Sequence, residues 1–267
     1  MLRISSLTKY FAKGTINEVT ALRSVSLTVR PGEFICVIGS NGSGKSTLMG
    51  CVSGTYAPDE GSIVLDGVNV TDWAEHKRAR QIGRVFQDPL SGTCASMTIE
   101  ENMALANRRG LPRTLKSGVT KKEREYFRSV LSQLDLGLEN RLQDSVGLLS
   151  GGQRQSLTLL MSTLLKPTLL LLDEHTAALD PKTAGLVMDL TREIVEKEKL
   201  TTVMITHNMQ QALSFGRRLI MMHRGTILKD FTALEMRSLT VEDLLRKFHV
   251  ANPNVRDSAV TDRMVLA

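Results

Sequence analysis

The sequence predicts an α/β protein with a parallel sheet at its core, and two segments carry that prediction. Residues 34–38 form a short apolar run, a glycine-rich stretch follows at residues 39–47, and an apolar segment then reaches Ser53 before Gly54. A second apolar run, residues 169–172, ends directly in two carboxylates. Short runs of this kind are typical of strands buried on both faces of a parallel sheet. The first segment therefore predicts a strand, a loop and a helix, with Gly54 as the left-handed helix cap.

Strand signals on either side of this segment predict a small β lobe beside the core. Residues 2–30 have the pattern of strands, and the turn at Arg30–Glu33 leads into the core strand. Ile63–Leu65 predicts another strand, which the turn at Asp66–Gly67 would end.

The pattern becomes helical from about Pro89 to Leu165. Thr98–Glu101 is a capping box, in which a threonine and a glutamate three residues later satisfy each other's backbone N–H groups. Five apolar residues then recur at helical spacing: Tyr126, Phe127, Val130, Leu131 and Leu134. This segment predicts a helical lobe inserted into the core.

Two more helices are predicted nearer the carboxyl terminus. Asp180–Pro181 opens the first, with Leu186, Val187, Leu190 and Ile194 expected on one face. Thr240 is expected to cap the second, whose apolar side would consist of Val241, Leu244, Leu245 and Phe248. Residues 251–267 are expected to form a loosely held tail.

The composition of the chain argues against a membrane-spanning, a secreted or a disulfide-rich protein. Of the 267 residues, 42% are apolar and 23% are charged, as expected of a folded domain with one substantial core. The longest apolar stretch, Leu157–Leu165, is far shorter than the ~20 residues of a membrane span. The amino terminus has no secretory pattern, and the three cysteines have neither metal-ligand nor disulfide-framework spacing. A reducing cytosol is the expected compartment.

The net charge of +6 leaves two interpretations open. Excess lysine and arginine usually solvate a surface, but they also suit an anionic membrane face or a nucleic acid. Basic residues cluster at positions 108–116. Only 4% of residues are aromatic and no stacking pattern is present, so no nucleic-acid partner is expected.

The glycine-rich stretch fits the pattern G-x-x-x-x-G-K-[ST] of phosphate-binding loops. It consists of Gly39, Ser40, Asn41, Gly42, Ser43, Gly44, Lys45, Ser46 and Thr47. In such a loop the glycines let backbone N–H groups close on the β-phosphate, the lysine reaches the β- and γ-phosphate oxygens, and the serine hydroxyl ligates Mg²⁺. The helix that follows adds a positive dipole end. The pattern therefore predicts an ATP site.

Two further motifs resemble those of one family. Leu149–Gln153 matches the signature motif, and Leu169–Glu174 the Walker B motif, of the ATP-binding subunit of ABC transporters. The resemblance implies a P-loop NTPase core of the ABC type, with an antiparallel β lobe and an inserted helical lobe that carries the signature. We expect this ATP-binding domain to span residues 1–250, with the helical lobe at about 89–165. A glycine-rich turn before a helix is the alternative for either glycine motif alone.

The two carboxylates after the second apolar run are candidate chemical groups. Asp173 would emerge at the carboxyl end of a parallel strand, where α/β sheets place ligands, and can hold Mg²⁺ through water. The resemblance implies that Glu174 orients and deprotonates the attacking water. A helix cap or a solvated loop is the alternative for two adjacent acids.

The resemblance assigns four more residues. Gln87 resembles the Q-loop residue that touches Mg²⁺ and senses the γ-phosphate, His207 the switch histidine, and Asp180 the D-loop aspartate. Tyr10 resembles the aromatic residue that stacks on adenine, with Phe11 as its rival. A turn role for Gln87, a structural role for His207 and a core role for either aromatic residue are the alternatives. The signature residues Ser150, Gly151, Gly152 and Gln153 complete the predicted nucleotide contacts.

The chain departs from the usual family pattern at two places. After Glu174 it has His175 where proline is usual and Ala178 where serine is usual. The His175 ring either couples to Glu174 and shifts its pKa or is an exposed loop residue. Met161–Thr163 replaces a common Ala-Arg-Ala run, which we expect to alter helix packing rather than chemistry.

The resemblance also implies partners. Two copies would face each other head to tail, so that each ATP lies between one chain's Walker A loop and the other's signature. A groove near Gln87 would pass the motion to an integral membrane permease, which places the chain peripherally on the cytoplasmic face of the inner membrane. Three stretches, 97–102, 137–142 and 173–180, resemble ATPase components of bacterial binding-protein-dependent importers, a group that includes aromatic amino-acid systems. A solute-binding protein is then an indirect partner.

Two other functions remain open. One is a soluble ABC ATPase for DNA repair, translation or iron–sulfur assembly, and the other is an exporter ATPase. Translation-type members normally carry two cassettes and repair-type members a long coiled coil; the sequence has neither.

Overall fold

The computed structural model describes residues 1–111 and 118–251, and for residues 249–251 only the backbone. The chain divides into two compact units: Met1–Glu75 with the segment from Thr201 onward, and His76–Leu200. Most of the predicted tail and positions 112–116 of the basic cluster lie outside the described residues.

The described residues contain strands and helices in alternation, as predicted for an α/β protein. The strands are β1 Leu2–Phe11, β2 Val19–Val29, β3 Phe34–Gly39, β4 Glu60–Leu65, β5 Val68–Asn69, β6 Ile82–Val85, β7 Leu169–Asp173, β8 Thr202–Ile205, β9 Arg218–His223 and β10 Thr226–Phe231. The helices are α1 Lys45–Ser53, α2 Glu75–Arg78, α3 Ile99–Asn107, α4 Lys121–Leu131, α5 Gly151–Thr163, α6 Pro181–Glu198, α7 Met209–Phe215, α8 Ala233–Met236 and α9 Val241–Ala251.

The first unit contains the predicted antiparallel β lobe. Its strands are ordered β2-β1-β4-β5, and Ile4 of β1 pairs with Leu27 on one side and with Ile63 on the other. All three side chains are buried, so one face of this sheet is apolar. The prediction of strands in residues 2–30 and at Ile63–Leu65 is confirmed.

A second sheet of the first unit positions the glycine-rich loop. Within this unit its strands are ordered β10-β9-β3-β8, and β3 runs parallel to both of its neighbours. Every residue of β3 is buried, as the apolar run predicts. Val37 pairs with Ile205, so β3 and β8 end at the same edge of the sheet. The loops that follow them therefore leave the sheet side by side.

The second unit combines one parallel strand pair with a helical core. Val85 of β6 pairs with Leu172 of β7, and both are buried. The apolar core of the helices comprises Ile99, Met103, Ala104, Ala106, Phe127, Leu131, Leu134, Leu138, Leu142, Val146, Leu149, Leu157, Leu160 and Met161. The predicted fold class, an α/β nucleotide-binding core with an antiparallel lobe and a helical lobe, is confirmed.

Local signals in the sequence fix the helix ends. Gly54 ends α1 in the left-handed conformation, at φ 90°. Thr98 caps α3 through its side chain, and Glu101 bonds back to the N–H of Thr98, which completes the predicted capping box. Asp180 caps α6 ahead of Pro181, and Thr240 accepts a hydrogen bond from the N–H of Asp243 in α9.

The predicted apolar faces of two helices are only partly right. Helix α4 ends at Leu131, so Leu134 lies in a short 3₁₀ helix, and Tyr126 is exposed. On α6 Leu186 faces solvent. The buried side of α6 consists of Val187, Met188, Thr191 and Val195. A polar residue, Thr191, occupies this side because its hydroxyl donates to the carbonyl oxygen of Val187 at 2.7 Å.

No helix in the described part of the chain is long and apolar enough to cross a membrane.

Candidate nucleotide-binding site

The glycine-rich loop turns sharply from the buried end of β3 into α1. Gly42 and Gly44 have positive φ values of 75° and 99°. A β-carbon on Gly44 would lie 2.6 Å from the carbonyl oxygen of Ala21 in β2. Any side chain at this position would therefore collide with the backbone of β2, and only glycine allows the loop to close.

Lys45 folds back over the loop instead of extending into solvent. Its Nζ lies 2.7 Å from the carbonyl oxygen of Gly39 and 3.1 Å from that of Ser40, and the residue is only 5% exposed. The loop therefore already holds the ammonium group at the place where a phosphate would bind. This geometry suits the role predicted for Lys45.

The loop fits a bound phosphate group. The hydroxyl of Ser43 is buried and has no hydrogen-bond partner within the residues that the structure describes. Ser46, at the start of α1, is exposed, and the first turn of α1 has no acidic side chain that would repel an anion. A buried hydroxyl at a helix amino terminus is a site that an anionic ligand can satisfy.

His207 lies beside this loop in the first unit. It follows β8 at the edge where β3 ends, because Val37 and Ile205 are paired. Asn208, the next residue, caps α7 and accepts from the N–H of Gln211 at 2.9 Å. His207 is half-buried between the end of the strand and this cap.

Tyr10 lies at the end of β1 and is half-buried. It pairs with Thr20, next to the Ala21 carbonyl that lies against Gly44. The Nζ of Lys13 lies 4.8 Å from the centre of its ring. Phe11 instead makes an edge contact with the ring of Tyr56, with the centroids 5.3 Å apart. Because Phe11 is already packed in this way, Tyr10 remains the better candidate for stacking on a base.

The second unit holds the predicted Walker B carboxylates at the end of β7. Asp173 is the last residue of the strand and is half-buried, and Arg84 Nη2 lies 3.3 Å from its Oδ2. Glu174 follows with φ 47°, a left-handed conformation that residues with a side chain rarely adopt. Its carbonyl oxygen accepts from the N–H of Ala177 at 2.9 Å. The carboxylates thus lie at the start of a tight turn.

Gln87 lies beyond the end of the neighbouring strand β6 and is exposed. The preceding carbonyl oxygen, that of Phe86, accepts from Gln155 Nε2 of α5 at 3.0 Å. Gln155 is fully buried. The segment that carries Gln87 is therefore attached to the helix that begins at the signature.

The signature residues form the first turn of α5. The Ser150 hydroxyl accepts from the N–H of Gln153 at 3.3 Å, and the Gln153 side chain accepts from the N–H of Ser150 at 3.2 Å. Arg154 holds the preceding loop through the carbonyl oxygens of Val146, Gly147 and Leu149, each at 3.2 Å. The loop before the signature is thereby fixed to the helix that follows it.

The two signature glycines contact the turn that contains Asp180. A β-carbon on Gly151 would lie 3.3 Å from Leu179, and one on Gly152 would overlap the γ-methyl group of Thr183. Asp180 is exposed, and hydrogen bonds from Thr183 lower the pKa of its carboxyl group. The carboxylate is therefore ionised at neutral pH.

His175 is neither exposed nor charged, which corrects the prediction of an exposed loop residue. It is 2% exposed, and its Nε2 lies 3.1 Å from the hydroxyl oxygen of Thr191. That hydroxyl donates its proton to Val187, so the histidine Nε2 must carry the hydrogen of this pair. Burial lowers the pKa of His175 from 6.5 to about 4, so the ring is neutral at physiological pH.

A family model described as ABC transporter matches residues 22–177, more than half of the chain. The chain belongs to the ABC transporter family. It is an ABC-type ATPase subunit that binds and hydrolyses ATP, which confirms the activity predicted from the glycine-rich loop, the signature and Walker B.

Its relatives include transport ATPases along most of its length. Over 251 residues it is 46% identical to a tyrosine transport ATP-binding protein of Clostridioides difficile (strain R20291), with 94% of this chain and 100% of that protein covered. It is 34% identical to the methionine import ATP-binding protein MetN of Escherichia coli (strain K12), with 93% of this chain and 70% of that protein covered.

Solved cassettes share its fold. One is a dimeric post-hydrolysis ATP-binding cassette bound to ADP and Pi, which superposes with a TM-score of 0.75 at 29% identity, over 87% of this chain and 99% of that chain. Another is the ADP conformation of a transporter cassette, with a TM-score of 0.76 at 26% identity, over 93% of this chain and 98% of that chain.

Each unit of this ABC ATPase brings together part of the predicted site. The first unit places His207 and Tyr10 around the glycine-rich loop. In the second unit, Gln87 lies beyond the end of β6. Asp173 ends the parallel neighbour β7, and Glu174 follows it. Asp180 lies near the signature glycines.

Three residues of the site were not predicted from the sequence: Arg84, Gln155 and Thr191. Arg84 lies beside Val85 and Thr191 beside Leu190, and a polar residue next to an apolar one is the signal that could have identified them; Gln155 lies between two polar residues and carries no such signal. Their partners lie 16 to 89 positions away in the chain.

Proposed function

We propose that this ATPase powers the import of an amino acid through a partner permease, with tyrosine and related aromatic amino acids as the candidate substrates. One observation carries the proposal: the 46% identity to a tyrosine transport ATP-binding protein over that protein's whole length. The 34% identity to a methionine import protein supports import of an amino acid more generally.

We assign Mg²⁺ to Ser46, Asp173 and Gln87. The three offer a hydroxyl, a carboxylate and an amide oxygen, and hard cations such as Mg²⁺ prefer oxygen ligands. Bound with ATP, Mg²⁺ would neutralise charge on the phosphates. Ser46 is exposed at the start of α1, and Asp173 ends β7 with its side chain 13% exposed.

Glu174 and His207 are assigned to the chemical step. Glu174 orients the attacking water and accepts its proton, and the turn that begins with the bond between its carbonyl and the N–H of Ala177 fixes its backbone. His207 donates a hydrogen bond to the γ-phosphate. Lys45 exchanges its bonds to the Gly39 and Ser40 carbonyls for bonds to phosphate oxygens.

Each ATP site is shared between two copies of the chain. Ser150 accepts from the N–H of Gln153, so its own hydroxyl proton is available to donate to a phosphate oxygen. Ser150, Gly151 and Gly152 of one copy would meet the ATP that the other copy's glycine-rich loop holds. The likeness to a dimeric cassette with ADP and Pi supports this arrangement.

The partner is an integral membrane permease, with a solute-binding protein acting indirectly. We place the chain peripherally, on the cytoplasmic face of the inner membrane. Gln87 is exposed, and the bond between Gln155 and Phe86 ties its segment to the signature helix. Closure of the shared site would therefore move the segment that faces the permease.

A mixed dimer tests the shared site. One chain carries Lys45→Ala with an intact signature, and the other carries Ser150→Arg with an intact glycine-rich loop. Neither homodimer should hydrolyse ATP, but each mixed dimer regenerates one of its two sites. About half of the dimers in an equimolar mixture are mixed, so the mixture should recover up to about a quarter of the wild-type rate. Mixtures with demonstrated mixed dimers and no recovery would contradict sharing.

Substrate identity needs the complete transporter. We expect ATP hydrolysis by the complex in proteoliposomes to rise when its solute-binding protein is loaded with tyrosine, and less with methionine. A stimulating effect of methionine alone would reassign the substrate. Normal ATP hydrolysis without any permease-dependent stimulation would favour a soluble ABC ATPase. Stimulation by a solute on the same side of the membrane as ATP would be inconsistent with import.

A further inference from the structure

A charged side chain interrupts the otherwise apolar strand β6. Arg84 lies between Gly83 and Val85, both buried, and its own side chain is only 16% exposed. A guanidinium group stays charged at any physiological pH, and placing it at such a position costs free energy unless it is paired. The position of Arg84 therefore indicates a contact that an apolar side chain could not make.

That contact is with the Walker B carboxylate. Arg84 pairs in register with Leu171 of β7, so its side chain lies on the same face of the sheet as Asp173, two residues further along. Nη2 of Arg84 lies 3.3 Å from Oδ2 of Asp173, and the Asp173 side chain is 13% exposed. Both groups are thus largely removed from water, where ion pairs are screened least.

The guanidinium is also held from its other side. Its central carbon lies 4.5 Å from the centre of the Phe86 ring, the usual geometry of a cation–π contact. Phe86 in turn is fixed by the bond from Gln155 to its carbonyl oxygen. Arg84 is consequently held in position by its neighbours and does not depend on Asp173 alone for its orientation.

We propose that Arg84 is a positioning residue that acts as the internal counter-ion of Asp173: it holds this carboxylate while the metal is absent and competes with Mg²⁺ for it. The competition, though not the pairing itself, rests on the proposed role of Asp173 as a metal ligand. The physical reason is charge. A guanidinium and a divalent cation that approach the same carboxylate repel each other, most strongly where little water separates them.

Arg84 should therefore weaken metal binding. Arg84→Met keeps a long side chain against Phe86 but removes the charge. Mn²⁺ serves as the probe, titrated into the full chain saturated with ADP and followed by electron paramagnetic resonance. We expect Arg84→Met to bind Mn²⁺ about tenfold more tightly than wild type, an order of magnitude set by the repulsion of charges in a partly dry site.

Three comparisons make the result specific to charge at Asp173. Arg84→Lys keeps the charge and should bind Mn²⁺ within about twofold of wild type. Arg192→Met removes an exposed arginine from α6 in the same unit and should leave Mn²⁺ affinity unchanged. In the Asp173→Asn background, Arg84→Met should no longer tighten Mn²⁺ binding. Unchanged or weaker Mn²⁺ binding by Arg84→Met, or tightening that persists in Asp173→Asn, overturns the proposal.

Failure of the metal assignment is separable from failure of the pairing. If Asp173→Asn alone binds Mn²⁺ as wild type does, Asp173 is not a metal ligand, and both the proposed metal role and the competition fall.

The pairing is tested without metal, by the melting temperature of the nucleotide-free protein in a chelator. Arg84→Met and Asp173→Asn should each lower the melting temperature. The double variant should lose less than the sum of the two single losses. Strict additivity would overturn the pairing as well.

Discussion

Gly152 of the signature lies directly against Thr183 of α6, so that a β-carbon on Gly152 would overlap the γ-methyl group of Thr183. The glycine is therefore required by packing inside one chain, in addition to any contact with a nucleotide held by a second copy. Because the two requirements act on different partners, they can be separated by experiment.

We expect Gly152→Ala to lower the free energy of unfolding by about 1–3 kcal/mol, the usual cost of adding a methyl group to a packed site. Thr183→Ser removes the obstructing methyl, and the remaining Thr183 atoms lie at ordinary contact distances of 3.6 Å or more. The double variant should regain its stability in urea denaturation but not its full ATPase activity, since Gly152 is also proposed to contact the nucleotide held by a second copy. Full recovery of activity would show that Gly152 serves internal packing alone.

Lys45 and Glu174 should separate binding from chemistry. Lys45→Ala removes the ammonium group bound to the Gly39 and Ser40 carbonyls and should weaken ATP binding in equilibrium dialysis. Glu174→Gln should keep ATP affinity but lower the turnover rate at least about a hundredfold, as is typical when a general base is lost. It should also accumulate as an ATP-bound dimer in size-exclusion chromatography.

Lys122→Ala, which changes an exposed lysine on α4, is the matched control and should leave both properties intact. An equal loss of ATP affinity in Lys45→Ala and Glu174→Gln would contradict this division of roles.

The buried His175 should make the protein less stable in mild acid. Its pKa is lowered from 6.5 to about 4 by burial, so between these values the unfolded chain binds more protons than the folded one. The contribution of the neutral ring to the free energy of unfolding is therefore fully present above about pH 7, and it falls as the pH drops from 6.5 towards 4. At pH 5 the loss from this residue is about 2 kcal/mol.

The measurement is the free energy of unfolding in urea at pH 7.5 and pH 5.0. His175→Gln, which has a neutral amide, should lose about 2 kcal/mol less than wild type between the two conditions. If both proteins show the same loss, the ring is not buried in its neutral form. The folded ring does not titrate near neutral pH. Above pH 6, the pH–rate profile of His175→Pro should therefore have the same shape as that of wild type.

Features built from neighbouring residues were predictable from the sequence. The order of strand, loop and helix at residues 34–53 and the capping box at Thr98 depend on residues within a few positions of one another. Backbone conformation and hydrogen bonding act at that range, so the local pattern carries the information. The same holds for the predicted antiparallel strands, whose register the apolar side chains determine.

Features that depend on distant partners were not predictable. The burial of His175 results from α6, because Thr191 supplies the hydroxyl that makes a polar ring acceptable inside the protein. The buried side of that helix includes Thr191, and Leu186 lies on the opposite side and is exposed. Counting apolar residues on a helical face cannot reveal a polar pair that satisfies itself.

Glu174 holds a left-handed backbone conformation that most side chains resist, so the residue proposed as the general base is also a place where stability could be gained. Glycine would relax the strain there by about 1 kcal/mol, so a selection for heat resistance alone would favour loss of the carboxylate. On the proposed role of Glu174, that gain in stability would cost turnover of ATP. Thermal adaptation of this ATPase would therefore have to draw its gains from the surfaces and helices around the turn.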